Sequence, residues 1–499
     1  MATSEKIHDL LIIGGGINGA GIAADAAGRG LDVLLCEKTD LAGATSSWST
    51  KLIHGGLRYL EFYEFSLVRK ALMEREVLTQ AAPHIIKPLA FQIPQLNNSR
   101  GALMLRAGLF LYDNLARREI YKGSRAVKYD ASGPLNPSIK SGFEYWDAQV
   151  DDSRLVLLNA MQARKHGADI RTRCAFVGAT ADAEGWLVEL RNEQDGSLAS
   201  VRSRAIVNAS GPWVSKLLAT FADADQVKPI KLVKGSHILV PRVSEDDHAY
   251  MLQHHDGRIV FVIPYLDKYS LIGTTEEDYD DDLDKISISE AETDYLLSIT
   301  NLYFKKATHR SDIVASYSGV RPLVEEEGKS STRTSRDYRL DLSAEPQPLL
   351  SVYGGKVTTY RVLAESVLDK LRDALPGMGQ PWTKTATLPG GDFDSVESLA
   401  DLWAQCWPWL PTEITRRWLQ SYGTLAHDIV DGAASIEDMG IHFGAGLYQR
   451  EVDYLRKQEW ALSAGDILWR RSKLGYAFTE EQTQALEKYL HYSNNNPIQ

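Results

Sequence analysis

Hydrophobic patterning is sharpest at the start of the chain. Residues 8–13 (HDLLII) form a short apolar run with a polar start, as expected of a buried strand. A glycine-rich turn follows, Gly14-Gly15-Gly16-Ile17-Asn18-Gly19. Small residues at helical spacing then occupy 20–30, and a second apolar run, 31–36, ends at Glu37. Strand, turn, helix and strand within about 30 residues make a βαβ unit. Residues 40–58 are hydroxyl-rich and loop-like, and 61–80 carry helical periodicity. Residues 100–118 are apolar with Arg100, Arg106, Arg117 and Arg118 around them, and 155–166 read as a helix stopped by Gly167.

From residue 169 the period changes. Segments 169–182, 185–193 and 198–210, divided by Glu184-Gly185 and Asp195-Gly196, predict a β-meander inserted before a strand of a parallel sheet. Further strands are expected in 230–242, 257–267 and 269–278, and a helix near 288–306. Another strand, 349–353, runs into a second glycine turn, Gly354-Gly355-Lys356-Val357-Thr358-Thr359, with a helix beyond it. Segment 376–395 reads as a linker, and 396–499 as a helical, Trp-rich region.

Composition narrows the possibilities. With 499 residues there is room for two to four domains, and 44% hydrophobic with 24% charged residues is ordinary for a globular chain. A net charge of −11 argues against nucleic acid as a partner, because phosphate backbones select basic surfaces. It leaves room for a local cationic cluster that binds a small anion. No apolar run approaches the roughly 18 residues of a spanning helix, and the first residues lack a secretory leader pattern. The expectation is a soluble or surface-lying protein. Cys36, Cys174 and Cys406 lack metal-ligand spacing and are expected to be free thiols, with no metal site.

Gly14-x-Gly16-x-x-Gly19 between a strand and a helix, with Glu37 21 residues after Gly16, is a dinucleotide fingerprint. Gly14 permits the tight turn, Gly16 lets backbone approach a pyrophosphate, and Gly19 lets helix and strand pack closely. The helix N-terminus favours phosphate, and Glu37 accepts hydrogen bonds from ribose hydroxyls, which disfavours NADP. The motif alone leaves FAD and NAD open. Its position at the chain start, the hydroxyl-rich loop and the second glycine turn lean towards FAD.

The segments IIGGGINGAGIAADAAGRG, ATSSWSTKLIHGGLRYLE, IVNASGPW, KGSHILVP, SGVRPL and SVYGGKVTTYR together resemble the FAD-dependent glycerol-3-phosphate dehydrogenases, within the wider D-amino-acid-oxidase-like flavoproteins. The resemblance spans about residues 8–395, and the helical tail is also similar to that family's. It implies an α/β fold: a Rossmann-like FAD-binding domain (1–80, 150–230, 345–375), an interleaved antiparallel β-sheet substrate domain (81–149, 231–344) and a C-terminal α-helical domain (396–499). It implies FAD contacts from Gly14, Gly16, Gly19 and Glu37. Thr45, Ser46 and Ser47 would donate hydroxyl hydrogen bonds to the pyrophosphate region, and Lys51, Leu52, His54, Gly55 and Gly56 would run beside the ring. Gly211 belongs to the strand-end motif, and Gly355, Lys356, Val357 and Thr358 would begin a helix aimed at the flavin. This chain has Ser49-Thr50 where the family often has two serines, and Trp48 where a smaller residue is common.

The implied reaction oxidises sn-glycerol 3-phosphate to dihydroxyacetone phosphate, with hydride transfer to FAD and electrons passed to a membrane quinone. Phosphate binding would fall to Arg58, Arg321, Arg336 and Lys356, with Tyr59 and Thr274 alongside. Arg321 would also help stabilise the developing alkoxide. His237, and after it His54, is the candidate general base. The implied location is the cytoplasmic face of the inner membrane, with lipid as a partner and a homodimer as one assembly. Segments 100–118 and Trp469-Arg470-Arg471-Ser472-Lys473 are candidates for lipid or subunit contact. Competing readings are a glycerol-3-phosphate oxidase using dioxygen, an amine or amino-acid oxidase, and a non-catalytic flavin-binding protein.

Overall fold

The computed structural model describes residues 6–96, 101–223, 227–324 and 338–495. The chain opens with β1 (Ile7–Ile13), α1 (Ile17–Gly28) and β2 (Val33–Glu37), then β3 (Leu52–Ile53), α2 (Phe65–Ala81), β4 (Ile86–Pro94), α3 (Ala102–Asn114), β5 (Arg125–Lys128) and β6 (Ser141–Val150). Next come α4 (Asp152–Lys165), β7 (Asp169–Thr172), β8 (Cys174–Asp182), β9 (Gly185–Asn192), β10 (Leu198–Asn208), α5 (Val214–Leu218), β11 (Ile230–Pro241), β12 (Ala249–Gln253), β13 (Ile259–Tyr265), β14 (Tyr269–Gly273) and β15 (Glu277–Asp278). The cofactor-side half closes with α6 (Glu290–Tyr303), β16 (Ala315–Val324), β17 (Arg339–Ser343), β18 (Leu349–Tyr353) and α7 (Tyr360–Lys370).

These elements build two sheets. The first runs β17-β18-β10-β1-β2-β7, with β8 and β9 attached to β10 as the meander. Its centre is parallel: β1 pairs with β10 and β2, and β10 with β18. The apolar runs of β1 and β2 are buried on both faces, as a parallel sheet covered by helices requires. The small residues of α1 let it approach closely. Gly21 faces the Tyr360 ring and Gly28 faces Trp382, where an added Cβ would lie within 2.5 Å and 2.0 Å of ring carbons. The second sheet runs β15-β11-β14-β13-β12-β4-β6-β3, with β16 on β11 and β5 on β6.

Several details depart from the sequence pattern. The expected strand 169–182 is two strands, because Arg173 takes a left-handed φ of 52° between β7 and β8. β3 joins the second sheet although it lies in the segment expected to build the first. Segment 376–395 packs against the first domain rather than linking freely: Met378 and Leu388 are buried in its core, and Trp382 donates to the Asp25 carbonyl at 3.2 Å. β4 and β6 escape the pattern because Pro88, Pro94, Glu144 and Asp147 interrupt their alternation. The acids are tolerated because Arg125 and Arg75 pair with them. α3 turns only Leu109 and Tyr112 inward and leaves Leu103, Met104 and Phe110 85%, 61% and 62% exposed. Among the described residues no helix is long and apolar enough to cross a membrane.

Beyond residue 395 the chain forms α8 (Val396–Cys406), α9 (Thr412–Ser421), α10 (His427–Val430), a small hairpin of β19 (His442–Gly444) and β20 (Leu447–Tyr448), α11 (Gln449–Glu459) and α12 (Glu480–Asn495). They enclose their own core around Trp403, Trp418, Leu455 and Ile467. In the basic segment 469–473 the cations turn into the protein, while Trp469 stays 42% exposed. Arg471 is fully buried and Lys473 nearly so, because aspartates of the first domain face them.

His84 is fully buried where the C-terminal domain meets the rest, near Gly390 and Gly423. Among the described residues neither ring nitrogen has a hydrogen-bond partner. Burial, helped by Arg154, pushes its pKa down to about 3. The unfolded chain therefore binds an extra proton between that value and about 6.5. The stability contributed by the neutral ring is complete above pH 6.5 and lost as pH falls. This group alone should cost roughly 3 kcal/mol between pH 8 and pH 4. Thermal unfolding of His84→Gln should show a shallower fall in midpoint over that range than the parent; equal slopes would contradict the assignment.

Candidate functional site

The first glycine turn is held by contacts that leave no space for side chains. Gly14 has φ 110°, and a Cβ there would lie 2.7 Å from the Ala209 carbonyl oxygen. A Cβ on Gly19 would lie 1.9 Å from the carbonyl oxygen of Gly14. Gly16 differs: a Cβ there would meet only Ser46 Oγ, at 3.1 Å, so its open side is the approach to the N-terminus of α1. Glu37 Oε2 accepts the Gly15 N–H at 2.7 Å, while Oε1 accepts from the Thr39 N–H and hydroxyl. The carboxylate is thus fixed beside the turn with lone pairs remaining. The second glycine turn reaches the first through Asn18, whose Nδ2 donates to the Gly354 carbonyl at 3.1 Å. Asn18 Oδ1 is buried there without a partner among the described residues, an acceptor awaiting a donor. Gly354 and Gly355 both have positive φ and deliver the chain into the turn Val357–Thr359 and then α7. A pyrophosphate beside Gly16 with a ribose on Glu37 fits this cradle, as FAD binding requires.

The hydroxyl-rich loop divides its work. Ser46 Oγ accepts the Ile17 N–H at 3.0 Å, so this hydroxyl stands at the N-terminus of α1 and directs its proton outward. Thr45 donates to the Val320 carbonyl at 2.7 Å and Ser47 to that of Ala44 at 3.3 Å, so their protons are directed inside the protein. Lys51 has φ 59° and turns Nζ inward, 2.8 Å from Asp152 Oδ1 and 3.0 Å from the Ser47 carbonyl. It is a buried anchor whose ammonium points away from solvent. Leu52 is buried in β3. His54 donates its backbone N–H to Thr358 Oγ1 at 3.2 Å, tying this loop to the second glycine turn. The bare side of Gly55 faces Leu72 and the Tyr112 hydroxyl, and that of Gly56, at φ 76°, faces the Tyr59 ring. Those two glycines make room for protein groups on that side. Gly211, at φ 57°, begins the turn after β10, with Ser210 bonded to Asn208 beside Gly14.

The second sheet presents its β11 and β16 face to this loop. The antiparallel register sets His237 opposite Tyr317, Gly235 opposite Gly319 and Val233 opposite Arg321. Residues two apart share a face, so His237, Gly235, Tyr317, Gly319 and Arg321 lie on one side. The opposed glycines strip side chains from the middle of that face. A Cβ on Gly235 would lie 2.6 Å from Thr274 Oγ1 and 3.6 Å from an Arg321 terminal nitrogen, which places Thr274 and Arg321 over this floor. A Cβ on Gly319 would lie 2.9 Å from the Trp48 carbonyl, so the cofactor loop rests here. Lys356 Nζ lies 3.9 Å from the centre of the Tyr59 ring. Arg58 is near enough to Tyr295 to lower its pKa, although burial dominates and raises it to about 12. Arg336 lies outside the described residues.

His237 is buried, stacks on Tyr317 at 4.8 Å, and has Nε2 3.0 Å from Thr50 Oγ1. Burial first, then the fields of Lys51 and Arg321, push its pKa down to about 3, so the ring is neutral at ordinary pH. Behind it, Ser236 donates to Glu292 and also pairs with Ser318, each at 2.7 Å, and Lys234 reaches Glu292 at 2.9 Å. Glu292 caps α6 through Ser289, so the helix start is locked to the floor of the site.

Asn18, Gly235, Tyr317, Gly319 and Glu292 were not among the candidate site residues of the sequence, and Thr50 was noted there only as a departure from the family pattern. A glycine inside an alternating strand, as in KGSH and SGVR, was the available signal for the floor. Nothing local marks the others, because their partners lie far along the chain.

Residues 9–361 match a family model described as FAD dependent oxidoreductase, and residues 381–494 match the C-terminal domain of alpha-glycerophosphate oxidase. A glycerol-3-phosphate dehydrogenase of Pseudomonas aeruginosa is 52% identical over 98% of this chain and 96% of its own length. A D-erythritol 1-phosphate dehydrogenase of Brucella abortus is 45% identical over 97% of this chain and 98% of its own. The crystal structure of a glycerol-3-phosphate dehydrogenase from Bacillus halodurans complexed with FAD superimposes with a TM-score of 0.75 at 25% identity, covering 98% of this chain and 95% of that one. The fold, the two converging glycine turns and the match over residues 9–361 together make the chain a member of the FAD-dependent oxidoreductase family, with FAD as its cofactor.

Proposed function

We propose that this enzyme oxidises sn-glycerol 3-phosphate to dihydroxyacetone phosphate and that a membrane quinone is the final electron acceptor. The observation that carries the reading is the glycine floor flanked by Arg321 and Thr274 on one side and His237 on the other. It offers a cation and a hydroxyl for a phosphate, and an imidazole for an alcohol proton. The Pseudomonas and Brucella relatives, by their names, both act on polyol phosphates, which supports a phosphate monoester as substrate.

Bound FAD supplies the acceptor for the hydride that leaves C2. Arg321, with Arg58, Arg336 and Lys356, holds the phosphate dianion, and the Tyr59 and Thr274 hydroxyls orient it. His237 takes the C2 hydroxyl proton, with His54 the second candidate. A dianion on Arg321 offsets one of the fields that depress the His237 pKa, so substrate binding makes that ring a better base. Arg321 also meets the alkoxide as it develops. Ser46 and the turn at Gly355–Thr358 hold the cofactor, while Thr45 and Ser47 shape the loop through the Val320 and Ala44 carbonyls.

The lipid contact is assigned to α3 and the turn before α2. Leu103, Met104 and Phe110 of α3 and Tyr63 beside it are exposed, and Arg69, Arg106 and Arg117 stand exposed around them. An apolar helical face rimmed by arginines suits the interface of an anionic bilayer. In this reading the enzyme works on the cytoplasmic face of the inner membrane, where its quinone acceptor would be met.

Anaerobic mixing of the yellow protein with sn-glycerol 3-phosphate should bleach the visible flavin band, and D-erythritol 1-phosphate should do so more slowly. No bleaching by either would remove the proposal, and stoichiometric peroxide in air would reassign the acceptor to dioxygen. Arg321→Ala should lower kcat/KM by about 2–5 kcal/mol of transition-state stabilisation, with much of the loss in KM. Wild-type kinetics in that variant would exclude Arg321 from the site. Leu103→Asp with Phe110→Asp should abolish sedimentation with vesicles of anionic phospholipid and leave flavin bleaching intact. Unchanged sedimentation would assign the lipid contact elsewhere.

A further inference from the structure

The C-terminal domain has its own core, so packing alone does not explain why its most buried cations face away from that core. Segment 466–473 inserts them between two parts of the cofactor-binding half. Arg471 donates to both oxygens of Asp40, Nη2 reaching Oδ1 at 2.8 Å, and Arg470 Nε reaches Asp40 at 2.5 Å. Arg173 joins Asp40 at 3.1 Å to Asp466 at 2.5 Å, and Arg470 also bonds Asp466. Burial would raise the Asp40 pKa, but Arg471, Arg470 and Arg173 bring it down to about 2. Asp40 stands three residues beyond Glu37, and the nearby Ala42 N–H donates to the Gly15 carbonyl at 3.0 Å. The first route therefore ends on the glycine turn.

The second route ends on the other side of the same loop. Lys473 Nζ lies 3.1 Å from Asp151 Oδ1 and also donates to Ser153 Oγ, which in turn donates to the Arg470 carbonyl at 2.9 Å. Asp151 caps α4 by accepting the Arg154 N–H at 3.1 Å. Its neighbour Asp152 receives Lys51 Nζ at 2.8 Å and Ser49 Oγ at 2.7 Å. Arg154 adds a fully buried pair with Glu459 at 2.5 Å, closing the helix start onto α11. The two routes grip residues 40–42 and 49–51, on either side of Thr45, Ser46 and Ser47.

We propose that segment 466–473 is a positioning element for the cofactor loop, and that Arg471 and Lys473 set how tightly the chain holds FAD. Neither residue touches the cofactor; each acts through an aspartate. Without Arg471, Asp40 keeps only Arg470 and Arg173, and without Lys473, Asp151 loses its ammonium partner; each aspartate is then under-compensated and shifts, carrying the loop with it.

The test measures FAD release from purified full-length holoenzyme by flavin fluorescence after dilution, together with the visible spectrum of the bound flavin. Lys473→Met and Arg471→Met should each raise the FAD Kd at least tenfold and shift the flavin band. Arg471→Lys should recover part of the affinity. Lys473→Met added to Lys51→Met should cost less than the two changes summed, because both act through the Asp151-Asp152 corner. Arg417→Met breaks a pair with Glu451 inside the C-terminal domain that involves neither Asp40 nor Asp151, and should lower the unfolding temperature without changing FAD affinity. The proposal is overturned if Lys473→Met folds and holds FAD as tightly as the parent. It is equally overturned if Arg417→Met weakens FAD to the same degree, since that would mean general loosening. If Arg471→Met does not fold, Lys473→Met decides, because its partner Asp151 retains some solvent contact.

Discussion

The buried pair of Lys51 and Asp152 is the constraint on which the site depends. Asp152 is fully buried at the first turn of α4, where the helix end already favours an acid. It draws in Lys51 and Ser49 together and forces Lys51 into a left-handed backbone that places β3 in the second sheet. The loop therefore passes from one sheet to the other at a fixed point. Ser46 is left at the N-terminus of α1, and Thr50 is left against His237. Without that pair the two halves would share a cofactor but no fixed distance.

The same geometry separates the two histidines by environment. His237 sits under Tyr317 with its ring kept neutral by burial and by two cations. His54 is partly exposed, and its backbone is tied to Thr358. A neutral, immobilised imidazole beside Arg321 is ready to accept a proton once an anion reduces the local positive field. That supports His237 as the first choice of base on grounds the sequence did not contain.

The βαβ unit could be read directly, because its strands are uninterrupted apolar runs and its glycines sit at the turn where backbone meets backbone. The meander was visible through alternation and turn pairs, yet the break at Arg173 was not, since arginine gives no sign of a left-handed backbone. β4 and β6 were hidden by prolines and by acids whose partners, Arg75 and Arg125, lie elsewhere in the sequence. Candidate site residues were legible where they fall in contiguous motifs, as with Gly16, Ser46 and Arg321, which the structure sets at the α1 N-terminus and over the glycine floor. The burial of Arg471 and Lys473 in the basic run at 469–473 was hidden for a related reason: charge suggests a surface until its counter-charges are located, and here they lie at Asp40 and Asp151. Trp48 and Thr50, noted only as departures from a pattern, turn out to rest on Gly319 and to face His237.

The pairing of Arg471 with Asp40 spans 431 residues. A contact of that span cannot form until ribosomal synthesis has passed Arg471, because one partner is missing before then. The βαβ unit emerges first and can fold early, but its adjoining loop must wait with Asp40 unmatched. Completion of the nucleotide cradle is thereby tied to the arrival of segment 466–473, so a product cut short before it would lack the very residues that close the corner around Asp40.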